Sequence, residues 1–219
     1  MRILRQAASA LALALMATVA AASPADPKNG VDYLTLPEPQ ATEASGKVEV
    51  IEFFSYMCPH CNAFDPSIHA WVKKQGNAIA FRRVPIAFYP QWEPLAKIHY
   101  AIEALGRAEE LHPKVFAAVH VERQRIESDA AALDLLVRLG VDRKQAADVY
   151  HSFGIQSKLR QAARLQEAYK ITGVPMVAVA GRYLTSPGTL SDNGLRQPPA
   201  ELYNSTLQVL DWLVARQKK

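Results

Sequence analysis

The sequence predicts an α/β fold in which a central mixed sheet is interrupted by an all-helical insertion. Three observations carry that expectation. A strand, a helix and a second strand follow one another from Val48 to Phe88. The stretch from Gln91 to Ala168 then has almost no β-branched runs and is rich in Ala, Leu, Glu, Arg and Gln. Finally, β texture returns at Gly173 to Leu184, before a last apolar-periodic segment.

The chain starts with a basic end (Arg2, Arg5), an apolar run from about Ala10 to Ala20, and small residues, the pattern of a secretory signal peptide over residues 1–22. The pattern Ala20-x-Ala22 would leave Ser23 as the first mature residue. A membrane anchor is the competing reading, but the apolar run is well short of the roughly 20 residues needed to span hydrocarbon. Arg2 and Arg5 are not adjacent, which disfavours a twin-arginine signal, and no cysteine lies near the cleavage site to take a lipid. Removing this segment takes two of the 25 basic residues and none of the 21 acidic ones, so the formal charge falls from +4 to +2. Basic residues are spread along the chain, with Lys218 and Lys219 as a terminal pair, so there is no stripe of the kind that binds nucleic acid. Hydrophobic residues make up 49% of the chain, enough for a core that does not depend on disulfide staples.

Each element has its own signal. The Pro-rich "LPEPQATEASGK" (Leu36 to Lys47) reads as an extended segment and loop. "VEVIEFFSY" reads as a buried strand that ends at the cysteines. From Asn62, apolar residues recur at helical spacing (Phe64, Ile68, Trp71, Val72) and stop at Gly76. "AIAFRRVPIAF" (Ala78 to Phe88) is the second strand, and strand, helix, strand implies a parallel pair with a right-handed crossover. Four or five short helices follow, broken at "ALGRAEELHP", "RIESDA", "RLGVDR" and "YHSFGI". Ser128, Asp129 and Asp142 sit where N-caps or first-turn acids belong. In "GVPMVAVAGRYL" the "AGR" reads as a tight hairpin turn, and "ELYNSTLQVLDWLVAR" as a terminal helix. The expected division is 23–90 with 167–219 for the sheet-bearing domain and 91–166 for the helical insertion.

The chain's two cysteines, Cys58 and Cys61, lie in "MCPHC" at the junction of strand and helix. That spacing places them about one helical turn apart, where a disulfide can close and open. The free N–H groups and positive dipole of the helix start, the neighbouring His60 and exposure at the strand end all favour a Cys58 thiolate, the attacking form. Pro59 fits the first helical turn, where its missing N–H costs nothing, and Cys61, one turn in, is expected to be more buried and to resolve. A static staple gains little from so short a loop. A zinc site wants four ligands where one C-x-x-C supplies two, so no metal is expected. Both nevertheless remain competing readings. The other histidines, His69, His99, His112, His120 and His151, lie in helical texture without ligand spacing and read as surface or packing residues.

"EFFSYMCPHC", "TGVPMV" over a hundred residues later and the helical texture between them resemble the DsbA family of periplasmic thiol:disulfide oxidoreductases, a branch of the thioredoxin fold. The resemblance implies a periplasmic enzyme that passes a Cys58–Cys61 disulfide to newly exported proteins with free thiols. It implies reoxidation by a DsbB-type membrane partner that delivers electrons to quinone, with no cofactor beyond the disulfide. It places Glu52 under the active site, where an acid influences the proton balance of the buried cysteine; an outward-facing Glu at a strand edge is the plainer alternative. It makes Val174-Pro175 a cis-proline loop facing the dithiol, with Val174 backbone groups free to pair with an extended substrate. A monomer is expected. The alternatives are an isomerase or reductase on the same fold, although isomerases usually add a dimerisation domain, and a periplasmic peptide-binding chaperone whose cysteines are incidental.

Overall fold

The computed structural model describes residues 26–217; the expected signal segment at 1–22 and the Lys218-Lys219 pair lie outside the described residues. In chain order the elements are β1 (Leu34–Thr35), β2 (Val48–Phe54), α1 (Pro59–Gln75), β3 (Ile79–Pro85), α2 (Glu93–Ala104), α3 (Ala108–His120), α4 (Asp129–Arg138), α5 (Arg143–Tyr150), α6 (Phe153–Ala168), β4 (Met176–Val179), β5 (Tyr183–Thr185), α7 (Pro187–Asp192) and α8 (Pro199–Gln217). The five strands form one mixed sheet in the order β1-β5-β4-β2-β3.

All seven residues of β2 are buried, as a central strand covered on both faces requires. It pairs in parallel with β3, from Val48 opposite Ile79 to Phe54 opposite Pro85. On its other edge it pairs antiparallel with β4, Phe53 opposite Met176. This register positions the site. The carboxyl end of β2 delivers Cys58, and the amino end of β4 brings Val174-Pro175 to the same edge of the sheet.

Helices α1 and α8 cover one face, where Phe64, Ile68 and Trp71 pack with Val50, Val177, Val209, Leu210 and Leu213. Phe64 and Ile68 are fully buried, and burial of this kind is worth roughly 1.5–3 kcal/mol per side chain. On the other face Ile51, Phe53 and Val84 meet Ile155 and Ala162 of α6, and Tyr169 just beyond it. The helices α2–α6 stand between β3 and β4 in the chain and build a core of their own around Ile98, Leu111, Phe116 and Leu136, into which Phe54, Tyr56 and Cys61 also reach.

Local signals explain most boundaries. Ser128 caps α4 by accepting from the Ala131 N–H at 3.2 Å, and Asp142 caps α5 by accepting from Gln145 at 2.9 Å. Ala180 and Gly181 form the hairpin turn at positive φ, where a Cβ on Gly181 would collide with the Gln40 carbonyl. Four details differ from the sequence reading. Helix α1 starts at Pro59 rather than Asn62, because Cys58 itself is the N-cap and Pro59 suits the first turn. Strand β3 stops at Pro85, which cannot donate to a ladder. Helix α3 runs through Pro113, which lies in its second turn and forfeits one backbone bond. Strand β1 and helix α7 carried no periodic signal: β1 is two residues paired with β5, and α7 is a six-residue helix capped by Ser186.

Candidate active site

The site begins with a turn. The Cys58 N–H donates to Ser55 O at 3.0 Å, with Tyr56 and Met57 at the corner, so the chain leaves β2 and enters α1 in four residues. Cys58 is extended (φ −88°, ψ 115°) as N-cap, and its Sγ accepts from the Cys61 N–H at 3.3 Å. A residue in that position points its sulfur at the unpaired amides of the first turn. Both cysteines are reduced, Cys58 half-buried and Cys61 fully buried.

Their acidities diverge. The Cys58 thiol is lowered to about 6, chiefly by a hydrogen bond from the Cys61 thiol, against burial, with the backbone N–H groups of Cys61 and His60 adding to it. The charge of the exposed His60 ring is the smallest contribution. Cys61 is pushed far up by burial, by its role as donor to Cys58 and by the Cys58 charge, with Glu52 adding to the push.

The Val174-Pro175 peptide is cis, and the neutral Cys58 thiol donates to Val174 O at 3.3 Å across 116 residues of sequence. A groove of about 540 Å³ opens beside it, with Val174, Pro175, Met176 and Leu202 as apolar wall, Ser186, Thr189 and Gln197 as polar rim and His60 at its edge.

Glu52 is buried at 2% exposure rather than outward-facing, and it is paired. Arg83 Nε donates to its Oε2 at 2.8 Å, while Arg83 Nη2 donates to Asp65 Oδ1 at 3.0 Å. Burial still raises Glu52 to about 6 against the attraction of Arg83. Burial would also raise Asp65, but a hydrogen bond from His112 and the nearby positive charges bring it below the ordinary carboxylate range. His112 continues the chain: its Nε2 lies 3.2 Å from Asp65 Oδ1 and its Nδ1 2.7 Å from the Tyr56 hydroxyl. Burial lowers its pKa, so the ring is neutral. Nε2 then carries the proton towards Asp65, and Nδ1 accepts from Tyr56. A second α3 residue, His120, donates from Nε2 to the Tyr56 backbone carbonyl at 2.8 Å.

Every residue expected at the site from sequence therefore lies around the dithiol, with Glu52 beneath it. Arg83, Asp65, Tyr56, His112 and His120 were not expected there. Arg83 had a readable signal, since it stands directly opposite Glu52 in the parallel register, and opposite charges in two apolar strands call for each other. The sequence reads His112 and His120 as surface or packing residues; both rings pack against Phe116 and also make specific hydrogen bonds.

Comparison with known proteins decides the relationship. A family model described as a DSBA-like thioredoxin domain matches residues 90–197. The thiol:disulfide interchange protein DsbA of Burkholderia cepacia is 45% identical over 205 residues, spanning 93% of this chain and 92% of that one. The chain belongs to the DsbA family. The protein of the same description from Bordetella parapertussis is 38% identical over 210 residues, covering 95% and 96% of the two chains. The crystal structure of Pseudomonas aeruginosa DsbA superposes with a TM-score of 0.79 at 32% identity, over 88% of this chain and 95% of that one. The protein is thus a thiol:disulfide oxidoreductase on the thioredoxin-like fold with its helical insertion. These likenesses do not favour the isomerase, reductase or chaperone readings.

Proposed function

We propose that the chain is a periplasmic dithiol oxidant that donates a Cys58–Cys61 disulfide to exported proteins with free thiols. In the oxidised enzyme a substrate thiolate attacks Cys58 Sγ, a substrate–Cys58 disulfide forms, and Cys61 leaves and takes up a proton. A second substrate thiolate then attacks the substrate sulfur of that mixed disulfide, and Cys58 leaves as a thiolate. The substrate loses two electrons and the enzyme gains them. The observation that carries this reading is the asymmetry of the pair: Cys58 is half-exposed and acidic at about 6, whereas Cys61 is buried and pushed up. An acidic leaving thiol speeds the second step and favours the reduced product, the property of an oxidant.

His60 and Pro59 tune Cys58 from the first turn, and Glu52 acts on the proton of Cys61. The Val174 backbone beside Pro175 and the groove next to it receive an extended substrate segment, with main-chain pairing giving sequence tolerance. No cofactor other than the disulfide and no metal is needed. The protein works as a monomer, is exported on a cleavable signal at residues 1–22, and is reoxidised by a DsbB-type membrane partner that passes electrons to quinone.

The test is oxidation of a reduced, unfolded substrate by the oxidised protein. Cys58→Ser and Cys61→Ser should each abolish it, and reduced Cys61→Ser offered a substrate disulfide should attack it, release one substrate thiol and keep the other half as a mixed disulfide on Cys58. A mixed disulfide trapped on Cys61 by Cys58→Ser, with none trapped by Cys61→Ser, would reverse the assignment.

A further inference from the structure

The turn that carries Cys58 is held from outside the sheet-bearing part of the molecule. Ser55, Tyr56, Met57 and Cys58 form a β-turn closed by the Cys58 N–H to Ser55 O bond. In such turns the central peptide, here Tyr56-Met57, has two orientations that distinguish types I and II; type II needs a positive φ at the third residue, which Met57 does not have, so this turn has the type I orientation. Two contacts hold the peptide that way round. The Met57 N–H faces Ser55 Oγ at 3.3 Å, and the Tyr56 carbonyl accepts from His120 Nε2 at 2.8 Å, the shorter of the two. His120 is the last residue of α3, 64 positions away, and packs against the Phe116 ring at 6.1 Å between centroids. The Tyr56 side chain is anchored on the same helix, through the 2.7 Å contact of its hydroxyl with His112.

We propose that His120 is a positioning residue for the dithiol: its Nε2–H holds the Tyr56-Met57 peptide in the orientation that seats Cys58 at the start of α1. The carbonyl can only accept, so Nε2 carries the proton, and the ring serves in this role whether neutral or charged. The contact that depends on this seating is the Cys61 N–H to Cys58 Sγ bond. A turn whose Tyr56 carbonyl is released moves more freely against the start of α1, which weakens that bond and with it the support for a Cys58 thiolate. This inference rests on the reading of Cys58 as the attacking thiol, and deepens it by assigning part of its placement to the helical insertion.

The test compares the wild type with His120→Ala, His120→Leu, which keeps bulk against Phe116, and His120→Gln, whose amide retains a donor at the reach of Nε2. The readouts are the ultraviolet thiolate titration of Cys58 and the thiol–disulfide equilibrium with glutathione. His120→Ala and His120→Leu should raise the titration midpoint by half a unit or more, about threefold less thiolate below the midpoint, and should lower oxidising strength by a similar factor. His120→Gln should restore most of both. Urea unfolding is followed alongside. A variant that loses stability while its Cys58 titrates like the wild type would mark His120 as merely structural and overturn the proposal. So would a His120→Gln variant as displaced as His120→Ala. Failure of the parent reading shows elsewhere, as a mixed disulfide trapped on Cys61 by Cys58→Ser and not on Cys58 by Cys61→Ser.

Discussion

Reduction should stabilise this protein, relative to its oxidised form, more at pH 8 than at pH 5. The perturbation is the redox state itself: the reduced form contains a Cys58 thiol lowered to about 6, and the oxidised form has no thiol to titrate. A group with a depressed folded-state pKa contributes stability that is fully present above its unfolded value, and that is lost as pH falls through the folded one. With an unfolded thiol near 8.5, the Cys58 contribution to the reduced form is about 2.5 kcal/mol at pH 8 and close to zero at pH 5. Cys61, pushed up in the fold, subtracts about 0.2 kcal/mol at pH 8, because it ionises partly only when unfolded. Cys58 is half-exposed, so solvent screening reduces the total, and a change of about 1.5–2.5 kcal/mol is expected.

The comparison of two redox forms at two pH values removes other terms. Closing the short Cys58–Cys61 loop stabilises the oxidised form by roughly 2 kcal/mol in the chain-entropy account, and equally at both pH values. Glu52, raised to about 6, titrates in both redox forms and largely divides out. The assay is urea unfolding of the oxidised and the reduced protein at each pH, with reductant maintained in the reduced series. If the difference in unfolding free energy between the two forms is the same at pH 5 and pH 8, then Cys58 is not acidic in the fold and the asymmetry argument fails.

His60→Ala should raise the Cys58 midpoint only modestly, because its ring charge contributes less to the low value than the Cys61 thiol and the backbone amides; a change beyond about tenfold in the glutathione equilibrium would contradict that order. Arg83→Met strands Glu52 and Asp65 together in the interior and should cost about 3–5 kcal/mol of unfolding free energy at pH 7. The cost should shrink towards pH 5 as Glu52, its pKa raised further without the cation, takes up a proton. Equal losses at the two pH values, measured by urea unfolding, would show that Glu52 is not the group left uncompensated.

Where the causes are local, the sequence was informative. The cysteines, Pro59 and the end of an apolar strand lie within ten residues of one another, and the acidity of Cys58 derives mainly from Cys61 and the backbone amides of its own helix. The caps at Ser128 and Asp142, the parallel β2–β3 pair and the hairpin at Gly181 are likewise written in nearest neighbours. Strand β1 has no signature in the sequence because its two residues owe their pairing to β5, some 150 positions away, and have no period of their own.

The histidines mark the boundary between these two kinds of information. In sequence nothing sets His112 and His120 apart from His69 or His151: all are single histidines in helical texture, without ligand spacing. Only the docking of α3 against the end of β2 brings His112 to the Tyr56 hydroxyl and to Asp65, and His120 to the Tyr56 carbonyl. These bonds cross from the helical insertion to the strand and the helix that flank the dithiol. The insertion therefore does more than wall the site. Its α3 fixes the turn before Cys58 from one side, and through Asp65 it orients Arg83, the cation that keeps Glu52 from being an isolated buried charge. A local sequence motif thus supplies the chemistry of the thiol pair, while contacts across more than forty residues hold the pair and its buried acid in place.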